Sequence, residues 1–345
     1  MKMTRLRAAA LLALSVAHLQ ACGERANKGD EPVAPSRSEP VVVYAAFEDK
    51  TYLPGMLNAY TRETGVPVIV RNGAAAAMVD DVILDSVSPP ADLLWTPTVS
   101  GLWRAAQEGA LRPLQSKFIA GEVPGWLRDP DDYWVSVSYR SAVLVYDPDV
   151  FDKSELSDYA ALAEPVYRAR LCLTSSSHAI NQAVIALMID ALAVKPAELV
   201  VRGWMVNLAA PVFGNEDALI EAMRSGTCGV GIASSTAVAS HRGGETASDI
   251  AVHVPANAYA NAEGIGIARH ARNPAGATAL VEWLLMPARQ TQHAATTRSH
   301  PVSRRAASKQ VVQTALIDDS ARRNIAVLAW NRDEAIKLAE RARYR

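Results

Sequence analysis

Residues 41–70 read VVVYAAFEDKTYLPGMLNAYTRETGVPVIV, and this stretch sets the architecture. Val41-Val42-Val43-Tyr44 is a β-branched run entered after Pro40 and predicts a strand. Leu53, Met56, Leu57 and Tyr60 recur at helical spacing and predict a helix over 53–64. Gly65 closes that helix, because the left-handed position after a last turn suits a residue without Cβ. Val66-Pro67-Val68-Ile69-Val70 predicts a second strand, 74–84 a second helix, and Ala91-Asp92-Leu93-Leu94-Trp95 a third strand. Strand, helix and strand joined this briefly form right-handed βαβ units.

Further along, 134–138 and 142–146 predict a pair of strands, after which the same grammar restarts. Residues 170–174 predict a strand, 179–192 a helix with apolar residues nearly all round, and 204–208 the end of another helix. Asn215 is placed to cap a helix over 217–225, with Glu216 and Asp217 in its first turn, and 229–233 forms the next strand. Segments 250–255 and 264–268 carry the chain back, and 274–286 and 333–343 are helical. The expected fold class is α/β, two doubly wound lobes joined by hinge strands. Residues 41–139 with 260–305 make the first lobe and 140–259 the second; C-terminal helices in 306–345 pack on both, and a cleft lies between the lobes.

The chain has 345 residues, 50% of them apolar and 21% charged, which excludes wholesale disorder and suits about two domains. With 35 Lys and Arg against 36 Asp and Glu, there is no basic excess of the kind a nucleic-acid surface needs. Lys2, Arg5 and Arg7, the apolar stretch 8–17 and Ala21-Cys22 read as a secretory signal over 1–21. Leu19-Gln20-Ala21-Cys22 resembles the bacterial lipobox, which implies lipidation of Cys22 and anchorage to a membrane through the N-terminal lipid. Residues 22–40, rich in Pro and charge, cannot offset their ordering entropy by burial and form a flexible tether. Losing the signal removes three cations and no anions, so the mature net charge falls from −1 to −4. The protein is expected outside the cytoplasm, in the periplasm or at the cell surface, as a monomer. In that compartment Cys172 and Cys228 are either a disulfide or two buried thiols, and without CxxC spacing they give no zinc signature.

Five motifs carry a resemblance: Val42-Val43-Tyr44 before a polar-acidic turn, YTRETGVPV (60–68), PADLLW (90–95), WVSVSYRSAVLVYD (134–147) and NPAGATALVEWLL (273–285). In this order they resemble the ferric-iron-type substrate-binding proteins of ABC importers, class II periplasmic binding proteins, over about residues 41–305. The resemblance implies a hinged two-lobe receptor without catalytic activity or cofactor that delivers its ligand to a permease and ATPase complex. The iron pattern itself is broken. Where iron-binding members place a His, a Glu and two adjacent Tyr, this chain has Glu48, Pro97 and Ser235-Thr236. Hydroxyls replace phenolates poorly for hard Fe(III), which leaves Glu48 as the one candidate ligand, with Asp49 as a second acidic oxygen or a solvated turn residue, so no metal site is expected. The part of the family's site that holds a small anion matches Ser177-His178-Ala179, Asn215 and Ser234. Independently of that likeness, Ser175, Ser176 and Ser177 supply hydroxyl and backbone donors at a helix start, a place that favours negative charge, and Ser234-Ser235-Thr236 repeats the device on the strand beside it, although such hydroxyls also serve as plain helix caps.

Other candidates are Arg140 as a planar fork for phosphate or carboxylate, Trp95 and Tyr139 as aromatic faces, and Arg298 on a loop returning to the cleft. Glu263, at the start of the returning strand, faces either a ligand amine or a lobe partner. No GxSxG elbow, complete GxGxxG, P-loop or HExxH is present, so enzyme classes are disfavoured. The leading expectation is a receptor for a small anionic solute bearing phosphate or carboxylate. A receptor for ferric iron or another chelated metal is the alternative, and a sensor, scaffold or enzyme on the same fold is the third.

Overall fold

The computed structural model describes residues 39–47, 52–241, 250–255, 258, 260–306 and 325–345. The signal, Cys22, the tether up to residue 38, Glu48 and Asp49 lie outside the described residues.

The chain opens with β1 (Val41–Ala45), α1 (Tyr52–Thr64), β2 (Val68–Asn72), α2 (Ala75–Leu84) and β3 (Leu93–Thr96). β1 runs parallel to both β2 and β3, the βαβ arrangement expected, and Gly65 ends α1 at φ 75°. Asp92 locks this unit: one carboxylate oxygen accepts from Val42 N and the other from Asn273 N, each at 2.8 Å. α3 (Val99–Gln107), β4 (Leu111–Arg112) and α4 (Lys117–Glu122) lead to β5 (Val135–Tyr146). Then come β6 (Leu171–Cys172), α5 (Ala179–Leu192), α6 (Val194–Asn207), α7 (Glu216–Arg224), β7 (Val230–Ser234) and α8 (Ser235–His241). β8 (Ala251–His253), β9 (Ala260–Ala268), α9 (Pro274–Leu285), α10 (Pro287–Thr297), β10 (His300–Pro301) and α11 (Ala326–Arg341) complete the description.

The strand order is β2-β1-β3-β9-β5-β7-β6, with β8 and β10 also on β5 and β4 on β9. β5 departs from the expected pair of strands. It is one strand of 12 residues that changes neighbours partway: Val135 to Ser141 pair with β9, and Ala142 to Tyr146 with β7. The polar residues Ser138 to Ser141, which read as a break, lie where the partner changes and need no turn. The larger apolar core is continuous along this strand, and a smaller cluster packs Val143 and Val145 against Leu219, Ile220 and Met223 of α7. Gly264 and Gly266 of β9 let α3 lie close, since a Cβ on Gly264 would meet Leu102 Cδ1 at 2.6 Å. Here the GxG pair serves packing.

Cys172 and Cys228 are joined, with Cα atoms 5.8 Å apart. Cys228 precedes β7, so the bond spans a strand and the approach to its parallel neighbour and avoids the poor geometry of two in-register strand positions. α11 begins well before the helix expected at 333–343 and packs on α3, α5 and α6. No described helix is long and apolar enough to cross a membrane.

Candidate functional site

The alternation of β5 sends Ser138 and Arg140 to the same side, where they help floor a cleft of about 730 Å³. β9 brings Glu263 opposite Ser138. Phe47, Met56, Trp283 and Arg289 form one wall, with His293, Thr296, Thr297 and Ser299 beside them, and Thr236 of α8 enters from the other half. Gln290 fastens α10 to the floor: its amide donates to the carbonyls of Val137 and Leu284 at 3.0 Å and accepts from Val302 N at 2.8 Å.

Glu263 is the buried carboxyl of the floor. Trp95 Nε1 donates to it at 2.6 Å, Ser138 Oγ at 2.9 Å, and His293 Nε2 lies 3.6 Å away. Burial pushes its carboxyl above the usual range, against the opposing pull of Ser138, Arg140 and Trp95. Burial likewise holds the His293 imidazole down at about 4, leaving it neutral near pH 7. On the wall, Arg289 stacks 4.6 Å over the Trp283 ring and reaches Glu63 at 2.5 Å, which fixes an aromatic surface beside the opening.

Several expected ligand groups are spent internally. Trp95 is fully buried, and its one polar atom holds Glu263 in place. Tyr139 stacks on His300 at 4.8 Å and meets Trp126 edge-on at 5.4 Å, so its ring faces other rings. Ser235 is buried, its hydroxyl accepting from Ser141 N at 3.1 Å, because α8 must be tied to β5 at the point where the strand changes partner. Arg298 is exposed in the left-handed conformation that ends α10, while its neighbours Thr297 and Ser299 line the cleft. Arg140 and Thr236 are on the cleft wall.

The serine turn is held by Asn181, whose amide donates to the carbonyls of Thr174 and Ser175 at 3.0 Å. Ser175 and Ser177 hydroxyls lie 2.9 Å apart, Ser176 is partly exposed between them, and His178 precedes α5. Asn215 caps α7 by accepting from Ala218 N at 2.8 Å. Ser234 gives its backbone N–H to the Glu216 carboxylate, and its hydroxyl at 2.8 Å. Missing from the sequence-based candidates were Arg289, His293, Thr296 and Thr297. Their i, i+3, i+4 repetition after Pro287 is a helix-face signal, but one with too little apolar content to stand out. Among the described residues no group of three or more His, Cys, Asp or Glu could hold a metal ion.

Comparison with known proteins places this cleft in context. Iron uptake protein A1 of Synechocystis is 28% identical over 296 residues, covering 82% of this chain and 81% of that protein. The Trichodesmium protein IdiA (FutA), solved in complex with iron and citrate ligands, superposes with TM-score 0.77 at 25% identity, covering 89% of this chain and 100% of that one. The Bordetella ferric binding protein gives TM-score 0.76 at 26% identity, covering 88% of this chain and 99% of that one. The α/β architecture is thus the two-lobed class II periplasmic-binding fold. A family model described as bacterial extracellular solute-binding protein matches residues 55–318. The chain belongs to the bacterial extracellular solute-binding protein family.

Proposed function

We propose that this protein is the extracytoplasmic receptor of an ABC importer for ferric iron, captured as an anionic chelate with a carboxylate ligand such as citrate. The carrying observation is the cleft's make-up. Arg140 shares the lining of a volume of about 730 Å³ with Ser138, Thr236, Thr296, Thr297 and Ser299. That lining suits an oxygen-rich anion and lies within the ~300–1,000 Å³ of ordinary ligand sites. The relatives favour iron as cargo over the metal-free phosphate- or carboxylate-bearing solute that the sequence suggested first. With Ser235-Thr236 in place of tyrosines and no metal-ligating cluster among the described residues, the iron must bring oxygen ligands with it. Lipidation at Cys22 would keep the receptor beside its permease and ATPase partners, working as a monomer.

Calorimetric titration of the mature chain with ferric citrate, iron-free citrate and phosphate tests this. Ferric citrate binds tightest, and its complex shows no added visible tyrosinate band, because no tyrosine lines the described cleft. Binding of citrate or phosphate at equal or greater strength, with ferric citrate excluded, would return the assignment to a metal-free anionic solute.

A further inference from the structure

Ser234, one member of the group that reads as an anion cradle, already has both of its donors taken by a carboxylate of the chain itself. Asn215 caps α7, so Glu216 is its first residue, a position where negative charge is favoured. From there the Glu216 side chain turns onto the end of β7 and accepts from both Ser234 N and Ser234 Oγ. His178 Nε2 lies 4.0 Å from Glu216 Oε2, the oxygen that accepts from the Ser234 hydroxyl. The Ser234 hydroxyl lies 2.9 Å from Thr236 Oγ1 and accepts from Ala237 N at 3.1 Å. The Glu216 side chain is only 14% exposed, and Thr236 is on the cleft wall. The carboxylate therefore sits behind Thr236 of the cleft wall, held by the Ser234 donors at the end of β7 with His178 nearby.

We propose that Glu216 is a resident anion and a specificity-determining residue. It satisfies donors that would otherwise draw a dissolved anion, holds Ser234 and through it Thr236 in a fixed orientation, and frees cargo binding from any need for phosphate. A carboxylate accepting from a backbone N–H and a hydroxyl occupies the place of an anion's oxygens and carries its charge. Removing the side chain leaves those donors unpaired in a space of that shape. The consequence for cargo rests on the ferric-chelate reading; the exclusion of phosphate does not.

Inorganic phosphate is the probe. The unaltered chain, titrated by calorimetry, takes up no phosphate, and its affinity for ferric citrate is the same with and without excess phosphate. Glu216→Ala binds phosphate directly, and phosphate then tightens its ferric citrate binding about tenfold. Glu216→Ser, which keeps a good helix-start residue, is measured the same way in case the alanine variant does not fold. Phosphate uptake by the unaltered chain, or no uptake by whichever variant shows a cooperative melt, overturns the proposal. If ferric citrate fails to bind the unaltered chain, the proposed cargo falls while the phosphate titrations still decide the role of Glu216.

Discussion

At the scale of single residues, Glu263 and His293 oppose each other. Burial raises the Glu263 carboxyl and depresses His293 and His300 to about 4. A depressed histidine contributes stability that is full above its unfolded value of ~6.5 and is lost as pH falls toward the folded value. Glu263 has the reverse sign, since its raised carboxyl gives stability at low pH that is lost as pH rises through its folded value. Each histidine is worth up to roughly 3 kcal/mol over its window. The His300 share should lower the melting temperature as pH falls from about 6.5 to 4, and His300→Gln should remove that share in pH-dependent calorimetry. An unchanged slope in the variant would show that His300 is not the source. Arg140 is the residue on which the cargo reading leans hardest. Arg140→Ala should weaken ferric citrate binding by about ten- to a hundredfold, the worth of one charge-assisted contact, in the same calorimetric titration. Equal affinity in the variant would remove Arg140 from the site. The sequence pointed to Arg140 and Thr236, yet it also offered Trp95, Tyr139 and Ser235, which turn inward. Strand periodicity shows that neighbouring residues face opposite ways; it does not show which face another element covers.

Among the elements, those with strong local signals were legible. α5 occupies 179–192 as its uniform apolar content predicts, and Asn215 caps α7 within one residue of the expected start. β5 was not, because its polar centre mimics a turn when only local chemistry is considered. Its continuity depends on β9 and β7, neighbours far away in sequence. The α10 wall escaped for a related reason: it is anchored by Gln290, a polar side chain that satisfies three backbone groups, with little apolar repeat. The disulfide acts at this same scale, tying β6 to the approach to β7 across a sequence separation of 56. Chain-entropy arguments assign a loop of that length about 4 kcal/mol. Cys172→Ala with Cys228→Ala should lower the melting temperature by several degrees, and reductant should lower that of the parent but leave the double variant unaffected. A parent melt indifferent to reductant would show that the bond contributes nothing.

For the molecule as a whole, β5 joins the two halves because it pairs with β9 at one end and β7 at the other, while β9 continues into the first sheet beside β3. The cleft draws Arg140 and Ser138 from this strand, Thr236 from one side, and Met56, Arg289 and Thr296 from the other. A ligand held by both sides has more contacts in a closed arrangement than in an open one. It therefore shifts the population toward closure by the difference in its affinity for the two states. Closure is expected to bend the chain at the partner switch near Ser141 and the adjoining start of β9, where few backbone pairings would change. Small-angle scattering of the mature chain should then show a smaller radius of gyration at saturating ferric citrate and no change with citrate alone. Arg140→Ala should need more ferric citrate to reach the same compact state, because the substitution weakens the ligand without altering the hinge. A radius of gyration that stays constant while calorimetry reports full occupancy would mean the cleft binds its cargo as a rigid surface, and a permease would then have to recognise the bound chelate itself, with no closed pair of lobes to read.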